Sequence, residues 1–516
     1  MQDKTTRRRR GGRDGRRTAG ALRDRAVGPG LEGGAYRPLG DHDIERIHAT
    51  ALDVLENIGI DNPIPEVAEP ALARGCTINE HGRLCFPRAL IEDIIAGAAR
   101  EFVLHGRERK HDLHVGGTRT HFATSGDAVT VLDMETGRYR PSTVVDLYDL
   151  VRLVDRLDNI HAFGQMVIPT DIADMLVQEI NVVYAITAGT TKHFSLSMEA
   201  GNVDDAVALG DMVLGGEGRF RDKPFFTVSG CPIVSPLRFV EENCRLMLAA
   251  ARAGAACNPI VAAQAGGTAP AALAGALVQT VAETLTCLAM INFVNPGHPV
   301  IFSNWPFVTD LRTGSFSGGG GEEALLNAAS AQIGRFYDLP RCVAAGMTDS
   351  KLPDNQAGYE KGVATALAGL AGANLVYESA GMLGSLMGCA FESLVIDNDM
   401  LGAVQRAVRG IEVTDETLSY GVIRDTALGP RHYLGHARTL AMMNSEYVYP
   451  EVGDRTTQNA WEAAGSPDVR EHAKTRAREI LSTHYPDTID AATDDALRAR
   501  FPIRLPREAM GPGGRW

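Results

Sequence analysis

No GxSxG elbow, P-loop or HExxH helix occurs in this 516-residue chain, and no GxGxxG stands between a β-rich run and a helical segment. Hydrolase, dinucleotide-dehydrogenase, nucleotide-hydrolase and zinc-protease chemistry therefore lose their usual sequence support. The eight cysteines (Cys76, Cys85, Cys231, Cys244, Cys257, Cys287, Cys342, Cys389) never form CxxC, and most sit in apolar runs. That pattern speaks against a disulfide framework or a metal ribbon and for reduced, buried thiols in a cytoplasmic protein. Aromatic residues are sparse at 6%. Positive charge is in deficit, with 51 Lys and Arg against 64 Asp and Glu, so general nucleic-acid binding is not expected. No long uncharged apolar run has the flanks of a membrane span. The nearest, TVAETLTCLAMINFV, is interrupted by Glu283 and closed by Pro296. The N-terminus lacks the apolar core of a secretory signal and reads as a disordered Arg/Gly-rich arm over 1–34.

Hydrophobic residues make up 44%, ample for a large core. Residues 35–118 read as an N-terminal α+β cap. From about 119 the chain becomes rhythmic: a short β-rich run, then a polar or glycine cluster, then a helical segment. The runs are THFATSGD, HAFGQMVIP, KHFSLSME, PFFTVSGCP, PIVAAQAGG, PVIFSNWP, CVAAGMTD and NLVYESAG. Eight such repeats without a dinucleotide fingerprint predict an α/β fold, a closed (β/α)8 TIM barrel over 119–440. A hairpin is predicted within 128–158, and 441–516 reads as a C-terminal helical extension.

Barrel chemistry sits where strands end and βα loops begin. The strand ends offer Ser125 and Asp127, Gln165, Ser197 and Glu199, Ser229, Gln264, Asn304 and Trp305, Met347 and Asp349, and Tyr377 and Glu378. Trp305 and Phe307 flank Pro306, a place where ring faces can hold a cation. His193 opens the third run, and its place near the strand's start draws it away from the mouth. Gly318–Gly321 lead into Glu322 and Glu323; those acids already fill the helix end, so a lid or a close backbone approach to a large ligand is expected rather than a phosphate loop. No strand-end set supplies three convincing metal ligands.

The stretches GMTDSKLPDNQAGYEKG, AGANLVYESAGMLGS and FESLVIDNDM, with KHFSLSM, SGCPIVSPL and DLRTG, resemble the trimethylamine methyltransferase family, across roughly residues 36 to 500. The resemblance implies a (β/α)8 barrel that passes a methyl group to the cobalt of a separate corrinoid protein. Archaeal members carry pyrrolysine at the end of the seventh strand, a position that falls on Met347 here. Losing that electrophile points away from trimethylamine and towards a quaternary, betaine-like amine. Such a donor already carries its charge and leaves as a neutral amine, so catalysis asks for positioning and exclusion of water.

The resemblance sets Met347, Asp349 and Glu378 as candidate catalytic residues. Trp305, Phe307, Asn304, Tyr377, Gln264, His193 and Asp127 are candidate substrate contacts. The resemblance places the corrinoid on a partner protein; no DxHxxG-type context surrounds His161, His193 or His298. A homo-oligomer with no membrane or nucleic-acid partner is expected. Two alternatives stand: a non-catalytic barrel that binds quaternary amines, and a trimethylamine-specific methyltransferase.

Overall fold

Eight short parallel strands, each followed by a helix, run from Arg119 to Arg409 in the computed structural model, which describes residues 25–513 and 515–516. The strands are β1 (Arg119–Phe122), β2 (Phe163–Gly164), β3 (Phe194–Leu196), β4 (Phe226–Gly230), β5 (Ala256–Val261), β6 (Phe302–Asn304), β7 (Arg341–Ala344) and β8 (Leu375–Tyr377). The helices that follow them are α1 (Val144–Asp155), α2 (Met175–Gly189), α3 (Val203–Val213), α4 (Glu241–Ala253), α5 (Leu273–Val294), α6 (Gly321–Phe336), α7 (Asn355–Ala371) and α8 (Phe391–Arg409). Strand order is β1-β8-β7-β6-β5-β4-β3-β2, and a parallel bridge between Ala123 and Ala162 joins β1 back to β2. The sheet is therefore the closed barrel that the eightfold rhythm predicts.

Alternation along each strand divides two cores. Phe194, Phe226, Val228, Phe302, Val343 and Val376 face the helix layer and join the large outer core. Ala123, Ala162, Ala256, Ile301, Cys342, Ala344, Leu375 and Tyr377 belong to a second cluster inside the barrel. Between β3 and β6 polar pairs line the interior instead: Asn258 Nδ2 donates to Ser229 Oγ at 2.9 Å, and Ser303 Oγ donates to Asn258 Oδ1. Leu104, Leu113 and Val115, from the hairpin Glu101–Leu104/Leu113–Gly116, join the same inner cluster, so the N-terminal cap contributes to filling the barrel.

One helix among the described residues, α5, is long and apolar enough to cross a membrane, yet most of it is buried against the barrel. Its Glu283 is satisfied by Ser235 Oγ (2.6 Å), the Leu237 amide (2.8 Å) and Gln279 Nε2 (3.0 Å). The predicted hairpin appears as Thr130–Leu132 against Tyr139–Pro141, leading into α1.

Two expected boundaries shift. Residues 1–24 of the expected arm lie outside the described residues, whereas Leu31–Glu32 pair antiparallel with β1. Residues 412–449, grouped with residues 25–26 among the described ones, form a compact unit with helices Tyr420–Leu428 and Ala437–Glu446, so position 440 falls inside that unit. Beyond it, helices Val469–Thr483 and Ala491–Arg500 dock on the barrel. Arg152 Nη1 donates to the Leu481 carbonyl at 2.7 Å, and Arg470 pairs with the buried Glu392 at 3.1 Å.

Candidate active site

Met347 follows β7 and is fully buried in the inner cluster with Trp305, Phe307 and Tyr377. Gly346 puts it there. Its φ of +115° is open only to glycine, and a Cβ would meet Ser379 Cα at 2.6 Å and Thr365 Cγ2 at 2.9 Å. Opposite, a Cβ on Gly318 would come within 2.9 Å of Met347 Cβ and 3.0 Å of its Sδ. The glycine-rich segment before α6 thus makes its close approach to Met347 rather than to a phosphate.

The polar residues after Met347 mostly hold the loop. Asp354 caps α7 by accepting from the Ala357 amide at 3.1 Å, and Ser350 Oγ donates to Asp354 Oδ1 at 2.8 Å. Glu360, one turn further on, accepts from Thr348 Oγ1 and from the Asp349 amide at 2.9 Å. Asp349 fastens two neighbouring loops: its carboxylate accepts from Ser317 Oγ (2.6 Å), the Gly318 amide (2.9 Å) and Ser385 Oγ. Both oxygens of this expected catalytic residue are thus engaged by loop donors. Asp349 holds the glycine segment over Met347.

Around Met347 stands an apolar wall. Trp305 stacks at a tilt against Tyr377, with ring centroids 5.9 Å apart, and its Nε1–H donates to Cys342 Sγ at 3.3 Å. Phe307 meets Phe316 edge-on at 4.9 Å. Ile260 packs against this cluster and also lines a cavity of about 240 Å³ at the ends of β1 to β5. That cavity shares Asp127, Gln165, Ser197 and Asn243 with a neighbouring one of about 340 Å³.

The cavity walls are acidic. Asp127 has a left-handed φ of +51° and Glu378 one of +59°, so both side chains leave their strands at sharp turns. Protein surrounds both. Burial pushes the Asp127 carboxyl up to about 7, and burial followed by the Asp127 charge pushes Glu378 up to about 8. Asp127 is nonetheless exposed to cavity solvent, which weakens its shift relative to that of Glu378, only 3% exposed. Cys231 is also exposed to the cavity, and its thiol is pushed up to about 11 by burial, Asp127 and Glu378. Glu323 on α6 is fully buried. Burial, Glu378 and Asp349 hold its carboxyl well above the usual range, while Asn327 donates to one oxygen. Glu378 Oε2, Glu323 Oε2, Gln165 Oε1 and both amide atoms of Asn304 have no hydrogen-bond partner among the described residues. Buried polar atoms left open in this way mark a place built for a ligand or for water.

Residues 6–508 match the trimethylamine methyltransferase (MTTB) family. The chain belongs to the trimethylamine methyltransferase family. It is 31% identical over 471 residues to trimethylamine methyltransferase MttB of Desulfitobacterium hafniense, covering 91% of this chain and 94% of that one. It is 33% identical to MttB of Methanosarcina barkeri, covering 87% and 91%, and 30% identical to a glycine betaine methyltransferase of D. hafniense, covering 90% and 96%.

Within this family member, the strand-end candidates separate. Asp127 borders both cavities, while Met347, Trp305, Phe307 and Tyr377 pack together in the buried inner cluster, linked to the smaller cavity through Ile260. Asn304 is buried at the end of β6 with its amide unpaired. Gln264 instead serves the loop: its Oε1 accepts from Thr309 Oγ1 at 3.1 Å, which ties the 264–265 segment to the hairpin Phe307–Asp310/Ser315–Ser317. The structure also removes His193 from the set of substrate contacts. It precedes β3 at the far end of the barrel, with Nδ1 on the His105 carbonyl (2.9 Å) and Nε2 on Thr227 Oγ1 (2.8 Å). Burial holds its pKa down to about 4, so it stays neutral. The sequence did not point to Cys231, Glu179, Asn243 or Glu323. Only Cys231 had a readable signal, two residues beyond Ser229 on the inward register of β4.

Proposed function

We propose that the chain moves a methyl group from a small quaternary amine to the cobalt of a corrinoid held by a partner protein. The observation that carries this reading is a buried cluster of rings and a thioether after β6 to β8, next to strand-end carboxylates that have no cationic partner among the described residues. Trp305, Phe307, Tyr377 and Met347 offer faces and a polarisable sulfur to a quaternary nitrogen. Asp127, open to the cavity, and the buried Glu378, with pKa values raised to about 7 and about 8, add negative charge only as they ionise, without the direct grip of an ion pair.

That division suits the chemistry. Charge on nitrogen falls as the C–N bond breaks, and the bonding electrons stay on nitrogen as a neutral tertiary amine departs. A tight carboxylate clamp stabilises the charged substrate more than the transition state, whereas a softer wall loses less along the way. Co(I) corrinoid, when bound, supplies the electron pair that takes the methyl carbon. Exposure of Asp127 and Cys231 between buried strands supports that approach, since it leaves the cavity open to solvent. Met347 offers no electrophile for capturing a free amine, which sets this chain apart from a trimethylamine-specific mechanism of the kind its family resemblance implies.

The test is to mix the purified chain with a corrinoid protein in the Co(I) state and a panel of quaternary amines, following corrinoid methylation by visible absorbance. Transfer from a quaternary amine, with little from trimethylamine, is the expected outcome. Binding of these amines without any transfer would favour the non-catalytic barrel.

A further inference from the structure

The two cavities at the mouth contain Asp127, Glu179, Glu199 and Glu242, and among the described residues no Lys, Arg or His lines either of them. The polar groups that remain are neutral: hydroxyls of Ser125, Ser195, Ser197 and Ser229, the amides of Gln165, Gln178 and Asn243, and the Cys231 thiol. Gln165 is 7% exposed, and its Oε1 has no partner among the described residues while it borders both cavities. The surroundings of the acids tell the same story. What raises Asp127, Glu378, Cys231 and Glu323 is burial and one another's charge, with no cation lowering any of them.

We infer that the methyl donor of this site is an ammonium cation that carries no carboxylate, its non-reacting arm being neutral and able to hydrogen-bond. This rests on the methyl-transfer reading and narrows the betaine-like donor that the family resemblance suggests. A betaine places its own carboxylate within a few ångströms of its nitrogen. Once the nitrogen faces the apolar wall, that carboxylate meets Asp127 or the Gln165 amide, with no guanidinium or ammonium to receive it. Bringing like charges together in a recessed, partly desolvated site is unfavourable, whereas a hydroxyl arm finds donors and acceptors in the serines and amides.

The experiment has two independent arms, both on the full chain. Calorimetric titration of the protein alone with tetramethylammonium, choline and glycine betaine ranks binding. Methyl transfer from the same three to a Co(I) corrinoid protein ranks turnover. Tetramethylammonium or choline is expected to bind and react at least tenfold better than glycine betaine. Asp127→Asn, which tolerates the left-handed backbone, should weaken the cations several-fold and narrow that gap. Gln165→Lys, which supplies the missing cation, should raise glycine betaine relative to choline. Glycine betaine equal to or better than the others in either arm overturns the inference while leaving methyl transfer intact. If no donor reacts, the methyl-transfer reading falls, and the binding order alone upholds or overturns the inference; no binding by any of the three also overturns it.

Discussion

Gly318 lies so close to Met347 that a Cβ added to the glycine would sit 2.9 Å from the methionine Cβ. Such contact leaves no room for even a methyl group, and Met347 is fully buried with Trp305 and Tyr377 packed in the same cluster. Gly318→Ala should therefore destabilise the protein by about 1–3 kcal/mol, the usual cost of overpacking. Met347→Ala should cost about 2–5 kcal/mol by opening a cavity. Because each change relieves the other's defect, the double variant should lose at least about 1 kcal/mol less than the sum. Chemical denaturation of the four proteins measures this, and strict additivity would mean the two side chains do not share space.

Asp349 tests whether the mouth is held in shape from outside the reacting centre. Its carboxylate accepts from Ser317, the Gly318 amide and Ser385, so Asp349→Asn must leave at least one of those donors poorly matched. The expected loss is about 1–2 kcal/mol, in the range for hydrogen bonds to charged groups. Hydrogen exchange should speed up over 315–320 and 383–386, and kcat should fall with an unchanged pH profile. A pH profile that moves with this substitution would restore Asp349 as an acid or base.

Glu378 is the cleaner pH probe, because it is buried where Asp127 opens to the cavity. Its pKa in the folded protein is near 8, above the ordinary 4.5. The stability it contributes as a protonated acid is fully present below about 4.5 and is lost as the pH rises through about 8. Glu378→Gln abolishes that dependence. The variant should match the wild type near pH 5 and exceed it at pH 9 by about 1–3 kcal/mol, read from melting temperature against pH. Cation binding runs the other way. Ionised Asp127 and Glu378 attract an ammonium, so wild-type affinity should rise between pH 6 and 9, and the Gln variant should lose much of that rise.

The barrel was legible because eight strand–polar cluster–helix repeats leave few topologies open, and because a strand's end is visible in its own residues. That reading put Asp127, Met347 and Glu378 just after strands, where the structure has them. Glu179 on α2, Asn243 on α4 and Glu323 on α6 were not, since a helix residue reaches the mouth only through packing. Glu323 shows the limit most clearly. Beside four glycines it reads as a solvated charge at a helix start, yet it is fully buried next to Glu378. Asp349 and Gln264 had the right positions but spend their polar atoms on loop partners, which no spacing reveals. His193 had the right residue type at the wrong end of its strand.

The sharpest test of the wall is Trp305, provided that truncation is separated from loss of the ring. The indole is 4% exposed, stacked on Tyr377 and hydrogen-bonded to Cys342. Trp305→Ala would open a cavity costing about 3–5 kcal/mol of stability, enough to confuse any reading of activity. Trp305→Phe keeps a π face and gives up the N–H···S contact, whereas Trp305→Leu keeps apolar bulk and gives up the face. A cation held by the ring should survive the first change with a several-fold loss. The second should weaken binding of a quaternary amine by about 1–2 kcal/mol, the worth of a desolvated cation–π contact. Both variants bury comparable apolar surface, so thermal stability should separate them far less than affinity does. Equal affinity in the Phe and Leu variants would show that the tryptophan only fills the barrel, and that the cation sits against another part of the wall.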